Sequence, residues 1–184
     1  MRKSGNLWLA MIAALILVCV MAIAGCGKQQ AGAGSGSEQS AQSALEHVLS
    51  CTVQEAADFE TASEEIKQAA ETGDETGIVS VDGLETYFQG RFGDDLTEDC
   101  LNKMMADRTI AVSIKLAEQY QSDILAEDIQ LTKRSGNEDM YDFEAKLGTA
   151  ADSKKIASVT GVVTMEESQS SWKISNLTLK VSES

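Results

Sequence analysis

Proline is missing from this chain of 184 residues, so its turns fall to fourteen glycines and to Ser, Asn and Asp. Histidine occurs once, at His47, in a stretch that reads as helix. A Ser/His/Asp set therefore has no visible base around which to form. There is no CxxC pair to join a single histidine, so no zinc site is expected. Cations are scarce: Lys and Arg number 15 against 29 Asp and Glu, a net charge of −14. Such a surface repels phosphates, so nucleic acid is not an expected partner, and it repels anionic lipid headgroups too. No glycine-rich phosphate loop occurs. The acid pairs, such as Asp94-Asp95, Glu98-Asp99, Glu127-Asp128 and Glu166-Glu167, lack the spacing and central glycine of a calcium loop. They read as a solvated surface, and no metal or cofactor is expected.

What is present begins at the first residue. Arg2 and Lys3 precede an uncharged run of nineteen residues, Leu7 to Gly25. Length alone does not separate a signal from a transmembrane helix. The end of the run does. Ile23-Ala24-Gly25-Cys26 resembles the lipobox of bacterial lipoprotein precursors: an aliphatic residue, two small residues, then cysteine. The small side chains let a peptidase reach the backbone, and the Cys26 thiol accepts diacylglycerol. The resemblance implies that residues 1–25 are removed and that Cys26 becomes the lipidated first residue. It places the chain at the outer, extracytoplasmic face of the cell membrane, with a Gram-positive source expected. Two acyl chains hold stably where one is marginal. Removing residues 1–25 takes the net charge from −14 to −16, because they hold two bases and no acid. Residues 26–42, rich in Gly, Ser, Gln and Ala, read as a flexible linker spanning roughly 20 Å. The domain is expected over residues 43–184.

Two cysteines remain, Cys51 and Cys100. An even pair in an oxidising compartment is compatible with a disulfide closing a loop of about fifty residues, worth about 3–4 kcal/mol, or with two buried free thiols. His47 lies one helical turn before Cys51, but that pairing offers no third orienting group. No catalytic residue is assigned.

From Ala44, apolar and small residues recur in steps of three and four through Leu45, Val48, Leu49, Thr52, Ala56, Phe59, Ser63, Ile66 and Ala70. This predicts an amphipathic helix broken near Cys51-Thr52 and ended by Thr72-Gly73-Asp74. Gly77 to Gly83 reads as a loop or short strand. A second short helix follows over Leu84 to Phe92. A third is opened by Thr97 as its cap, with acids suited to the positive end. Ile110 to Tyr120 continues as helix. After Gln121 the period becomes two: Ile129 and Leu131; Tyr141, Phe143, Ala145 and Leu147; Val159, Gly161, Val163 and Met165; then Trp172, Ile174, Leu177 and Leu179. The last strand slips phase at Ser175-Asn176, as a β-bulge would produce. Short polar connections make consecutive strands antiparallel neighbours. The expected class is α+β, with N-terminal helices packed on a curved four-stranded antiparallel sheet.

Three segments resemble the NTF2-like or cystatin-like superfamily of small exported bacterial domains. They are Ala57-Asp58-Phe59-Glu60-Thr61-Ala62-Ser63, Leu96-Thr97-Glu98-Asp99, and Gly161 to Glu166 leading to Ser171-Trp172-Lys173-Ile174. The resemblance covers residues 44–181 and implies a cone of sheet closed by helices. No catalytic motif of the superfamily's enzymes maps onto this sequence. Two functions are weighed. One is a non-catalytic interaction domain, anchored to the membrane through Cys26, that contacts another envelope or surface protein. The other is a small-molecule site, in a carrier or an NTF2-like enzyme, inside a cone lined by Tyr141, Phe143 and Trp172. An acid turned inward among these aromatics, at Asp58, Asp142 or Glu144, would favour the second. Core packing of the same aromatics would favour the first. Oligomeric state is not legible.

Overall fold

The computed structural model describes residues 36–71, 82–137, 139–152 and 154–183. The signal, the lipobox residues Ile23, Ala24 and Gly25, Cys26, the first part of the linker and the stretch 72–81 lie outside the described residues. Among those described, five α-helices precede a four-stranded antiparallel sheet, so the α+β class and strand order expected from the pattern are found.

Helix α1 spans Gly36–Leu49 and α2 spans Val53–Glu71. The linker expected to run to residue 42 is therefore helical from Gly36. Ser37 and Ala41 are buried, and they continue upstream the stripe of Ala44, Leu45, Val48 and Leu49. The cause is steric. A helix lying close against a sheet uses small residues where it approaches most tightly, and small residues have the composition of a tether. Gly36 itself sits against the Trp172 ring, 3.4 Å from where a Cβ would be.

The break between α1 and α2 comes where Cys51 leaves the helix to pair with Ile124, donating to its carbonyl at 2.9 Å and accepting from its N–H at 2.7 Å. Thr52 then starts α2 with a reciprocal cap. The Glu55 N–H donates to Thr52 Oγ1 at 3.2 Å, and Glu55 Oε2 accepts from the Thr52 N–H at 2.6 Å. Helix α3 follows at Asp82–Phe92 and α4 at Glu98–Ala106. Thr97 caps α4 as expected, its hydroxyl accepting from the Cys100 N–H at 3.3 Å. A short 3-10 turn, Thr109–Ala111, leads into α5 at Val112–Tyr120.

The strands are β1 Ile124–Lys133, β2 Met140–Thr149, β3 Lys155–Ser168 and β4 Ser171–Glu183, ordered β1-β2-β3-β4. The register of β4 slips where the sequence does: Thr164 faces Asn176, Met165 faces Ile174, and Ser175 is the extra residue. β1 starts five residues before Ile129, and a second bulge explains why its early part looks irregular. Glu127 faces Lys146, Gln130 faces Glu144, and Asp128 takes φ 51° between them. Ile124 and Ala126 share the inner face with Ile129 and Leu131 only because of that insertion.

Helix α1 lies across the inner face against β1, β3 and β4. There Tyr141, Phe143, Leu147, Val159, Val163 and Ile174 are buried. Phe143 pairs with Gly161 across the β2–β3 ladder, and its ring occupies the space a side chain at Gly161 would need. A Cβ there would stand 2.8 Å from Phe143 Cε1 and collide with the Thr178 carbonyl oxygen. Gly161→Ala should therefore force strand or ring to shift and cost about 1–3 kcal/mol. A fall in the urea midpoint with an unchanged slope checks this; an unchanged midpoint refutes the close packing.

Candidate functional site

Each side chain expected to line a cone has a definite place. Tyr141 and Phe143 are fully enclosed in the core, and the Tyr141 hydroxyl lies 2.8 Å from Ser37 Oγ, a buried pair. Trp172 is half-buried beside Gly36. The three acids whose inward orientation would mark an internal site, Asp58, Asp142 and Glu144, all face solvent.

The two thiols are unbonded, so the disulfide weighed from the sequence is not formed; both cysteines are buried and free. Cys51 is held at the α1–α2 joint by its ladder to Ile124, and its thiol meets Arg91 Nη1 at 3.6 Å. Cys100 is held in the first turn of α4, against the backbone of Leu177 on β4. Nor does Cys51 pair with His47. The histidine stays on α1 and reaches the α3–α4 turn, where Nδ1 lies 2.5 Å from Asp95 Oδ2 and the ring packs 5.6 Å from Phe92. The helix ends before Cys51, so the one-turn spacing never places both side chains on one face.

A polar cluster that the sequence did not flag surrounds Arg91. Its side chain is only 6% exposed. Nη2 donates to the Ser50 carbonyl at 2.7 Å, and Nη1 lies 3.3 Å from Glu55 Oε1 and 3.4 Å from the Tyr87 hydroxyl. Tyr87 donates in turn to the Glu55 carbonyl at 2.8 Å, and the guanidinium carbon stands 4.9 Å over the Phe92 ring. Burial raises the Cys51 thiol above its ordinary value, with the Arg91 charge opposing. The hydrogen bonds of the Arg91 cluster join α3 to the α1–α2 joint, and burial favours the protonated form of the Cys51 thiol within it.

The outer face of the sheet is different. No helix of the described residues packs on it. An open groove of about 470 Å³ crosses it, lined by Gln130, Thr132, Asp142, Glu144, Thr160 and Val162. A smaller one of about 240 Å³ adjoins it toward Asp128, Lys146 and Lys155. Arg134 grips Asp142 with Nη2 at 2.7 Å and Nε at 3.0 Å from Oδ1, and this bonding holds the carboxyl below its usual range. Lys146 bonds Asp128 at 2.6 Å. These are hydrogen-bonding groups on a shallow solvated surface. Among the described residues no cluster of three His, Cys, Asp or Glu is arranged to hold a metal ion.

No family model, no curated protein and no solved structure matches the chain.

The thiols give a direct check. Burial pushes Cys100 up to about 11, so the folded state keeps a proton that the unfolded chain loses above about 9. Its contribution to stability is complete below pH 9 and declines as pH rises toward 11. The denaturant midpoint of the parent should therefore fall more steeply between pH 9 and 11 than that of Cys100→Ala. Parallel curves would contradict the burial. At pH 8, a thiol reagent should modify Cys51 and Cys100 slowly in the native chain and rapidly in urea.

Proposed function

We propose that this chain is a lipoprotein, anchored at the outer face of the cell membrane by diacylglycerol on Cys26. Its folded domain is a non-catalytic module that contacts another envelope or surface protein. The observation that carries the anchor is the lipobox Ile23-Ala24-Gly25-Cys26 at the end of a nineteen-residue uncharged run behind Arg2 and Lys3. The anchor has a physical task here. A chain of net charge −16 after processing has no general attraction to an anionic bilayer, so lipid on Cys26 supplies the membrane contact.

Helices leading into a four-stranded antiparallel meander are compatible with the NTF2-like architecture that the sequence resembles. In this reading the interior serves stability. Tyr141 and Phe143 fill it, while Asp58, Asp142 and Glu144 are turned to water. That arrangement favours a protein-contacting surface over a carrier or an enzyme with its ligand inside a cone.

Cys26→Ala should leave a full-length precursor that takes up no labelled palmitate, whereas the parent is shortened and labelled. Normal cleavage and labelling of the variant would sink the anchor. The contact reading is tested separately, by asking whether the lipid-free domain retains a defined envelope protein through washes that remove it from an Asp/Glu-matched control.

A further inference from the structure

Helix α1 crosses the sheet from one end to the other, and both of its ends are fixed. Gly36 sits against the Trp172 ring, and Ser37 Oγ lies 2.8 Å from the Tyr141 hydroxyl. Trp172 is the second residue of β4 and Tyr141 the second of β2, so this end carries the β1–β2 and β3–β4 turns. The last turn of α1 runs into the Cys51–Ile124 ladder, where Ile124 faces Thr149, the last residue of β2. Eight steps of strand, from Tyr141 to Thr149, separate the two ends by about 26 Å.

The chain enters the domain at the first of these ends. Ten peptide steps lead from Cys26 to Gly36. Fully extended, they reach at most about 36 Å. A stretch so rich in Gly and Ala has a mean span of about 17 Å. That mean is shorter than the distance between the ends, so a lipid on Cys26 keeps the Gly36 end near the bilayer. Charge acts in the same sense. The processed chain carries −16, and a body repelled by anionic headgroups but held at one end swings its free end outward. No basic patch draws that free end back: Lys115, Lys154 and Lys155 lie toward it, but so do Asp123, Glu127 and Asp152.

We infer that a short tether and like charge hold the domain with one end to the bilayer, the end formed by Gly36 and the β1–β2 and β3–β4 turns. The Cys51–Ile124 end, with the β2–β3 turn, points away. This deepens the contact role and rests on the Cys26 anchor: the outward end is the surface that another envelope protein reaches first.

The test uses the full processed chain on vesicles of phosphatidylcholine and phosphatidylglycerol in which some headgroups carry a nitroxide quencher. Ser135→Cys and Ala151→Cys each put a new thiol on an exposed residue, in the β1–β2 and β2–β3 turns. A brief maleimide reaction attaches a fluorophore there ahead of buried Cys51 and Cys100. With the ends about 26 Å apart, the label on Ser135→Cys should be quenched about threefold more strongly than that on Ala151→Cys. Should Ser135→Cys fold poorly, Ser170→Cys on the β3–β4 turn should give the same result. Twenty Gly/Ser residues inserted after Ser35 lengthen the mean span to about 30 Å and should bring the two values together. Stronger quenching at Ala151→Cys, or a difference that survives the insertion, overturns the inference. A chain that does not float with the vesicles overturns the anchor and the orientation together. A chain that floats with both labels equally quenched overturns the orientation alone.

Discussion

Two backbone hydrogen bonds between Cys51 and Ile124 join the helical half of the domain to the first strand, and polar contacts from α2, α3, α5 and β1 gather around that joint. Because Cys51 turns its N–H and carbonyl to the sheet, the helix must stop, and the groups left over need new partners. Ser50 supplies its hydroxyl to the Ala126 N–H and its carbonyl to Arg91. Val48 offers its carbonyl to the Ser113 hydroxyl on α5. Thr52 and Glu55 cap the helix that restarts. Each partner comes from a different element, so α2, α3, α5 and β1 are positioned by one interruption. Removing the ladder would leave a buried arginine without its carbonyl and a capped helix pointing nowhere fixed.

The division between faces follows from the same geometry. Helix α1, reaching the joint from one end of the sheet, covers the inner surface, and the aromatic residues of β2 fill the space beneath it. What remains open is polar and on the outside.

How much of this was legible depends on whether a local pattern survived its tertiary context. The alternation in β2 and β3 was readable because each of those strands buries one face along most of its length. The Ser175 bulge was readable because an inserted residue shifts every following apolar position by one, and β4 is long enough to show both phases. The Asp128 bulge was hidden, since only Ile124 and Ala126 precede it. The upstream turns of α1 were hidden as well: Ser37 and Ala41 are buried for being small, and smallness in sequence looks like a linker. The Arg91 cluster was invisible for another reason. Its partners Ser50, Cys51, Glu55 and Tyr87 are spread over thirty-eight positions, and only the broken helix brings them to one guanidinium.

The seating of α1 against Trp172 has a spectroscopic consequence. The chain holds two tryptophans, and Trp8 belongs to the leader read as removed, which leaves the processed form a single indole. That indole stands where Gly36 brings the helix start onto the last strand. Its emission wavelength would respond to the docking or lifting of the N-terminal helix, which makes it an intrinsic gauge of how firmly that helix is seated.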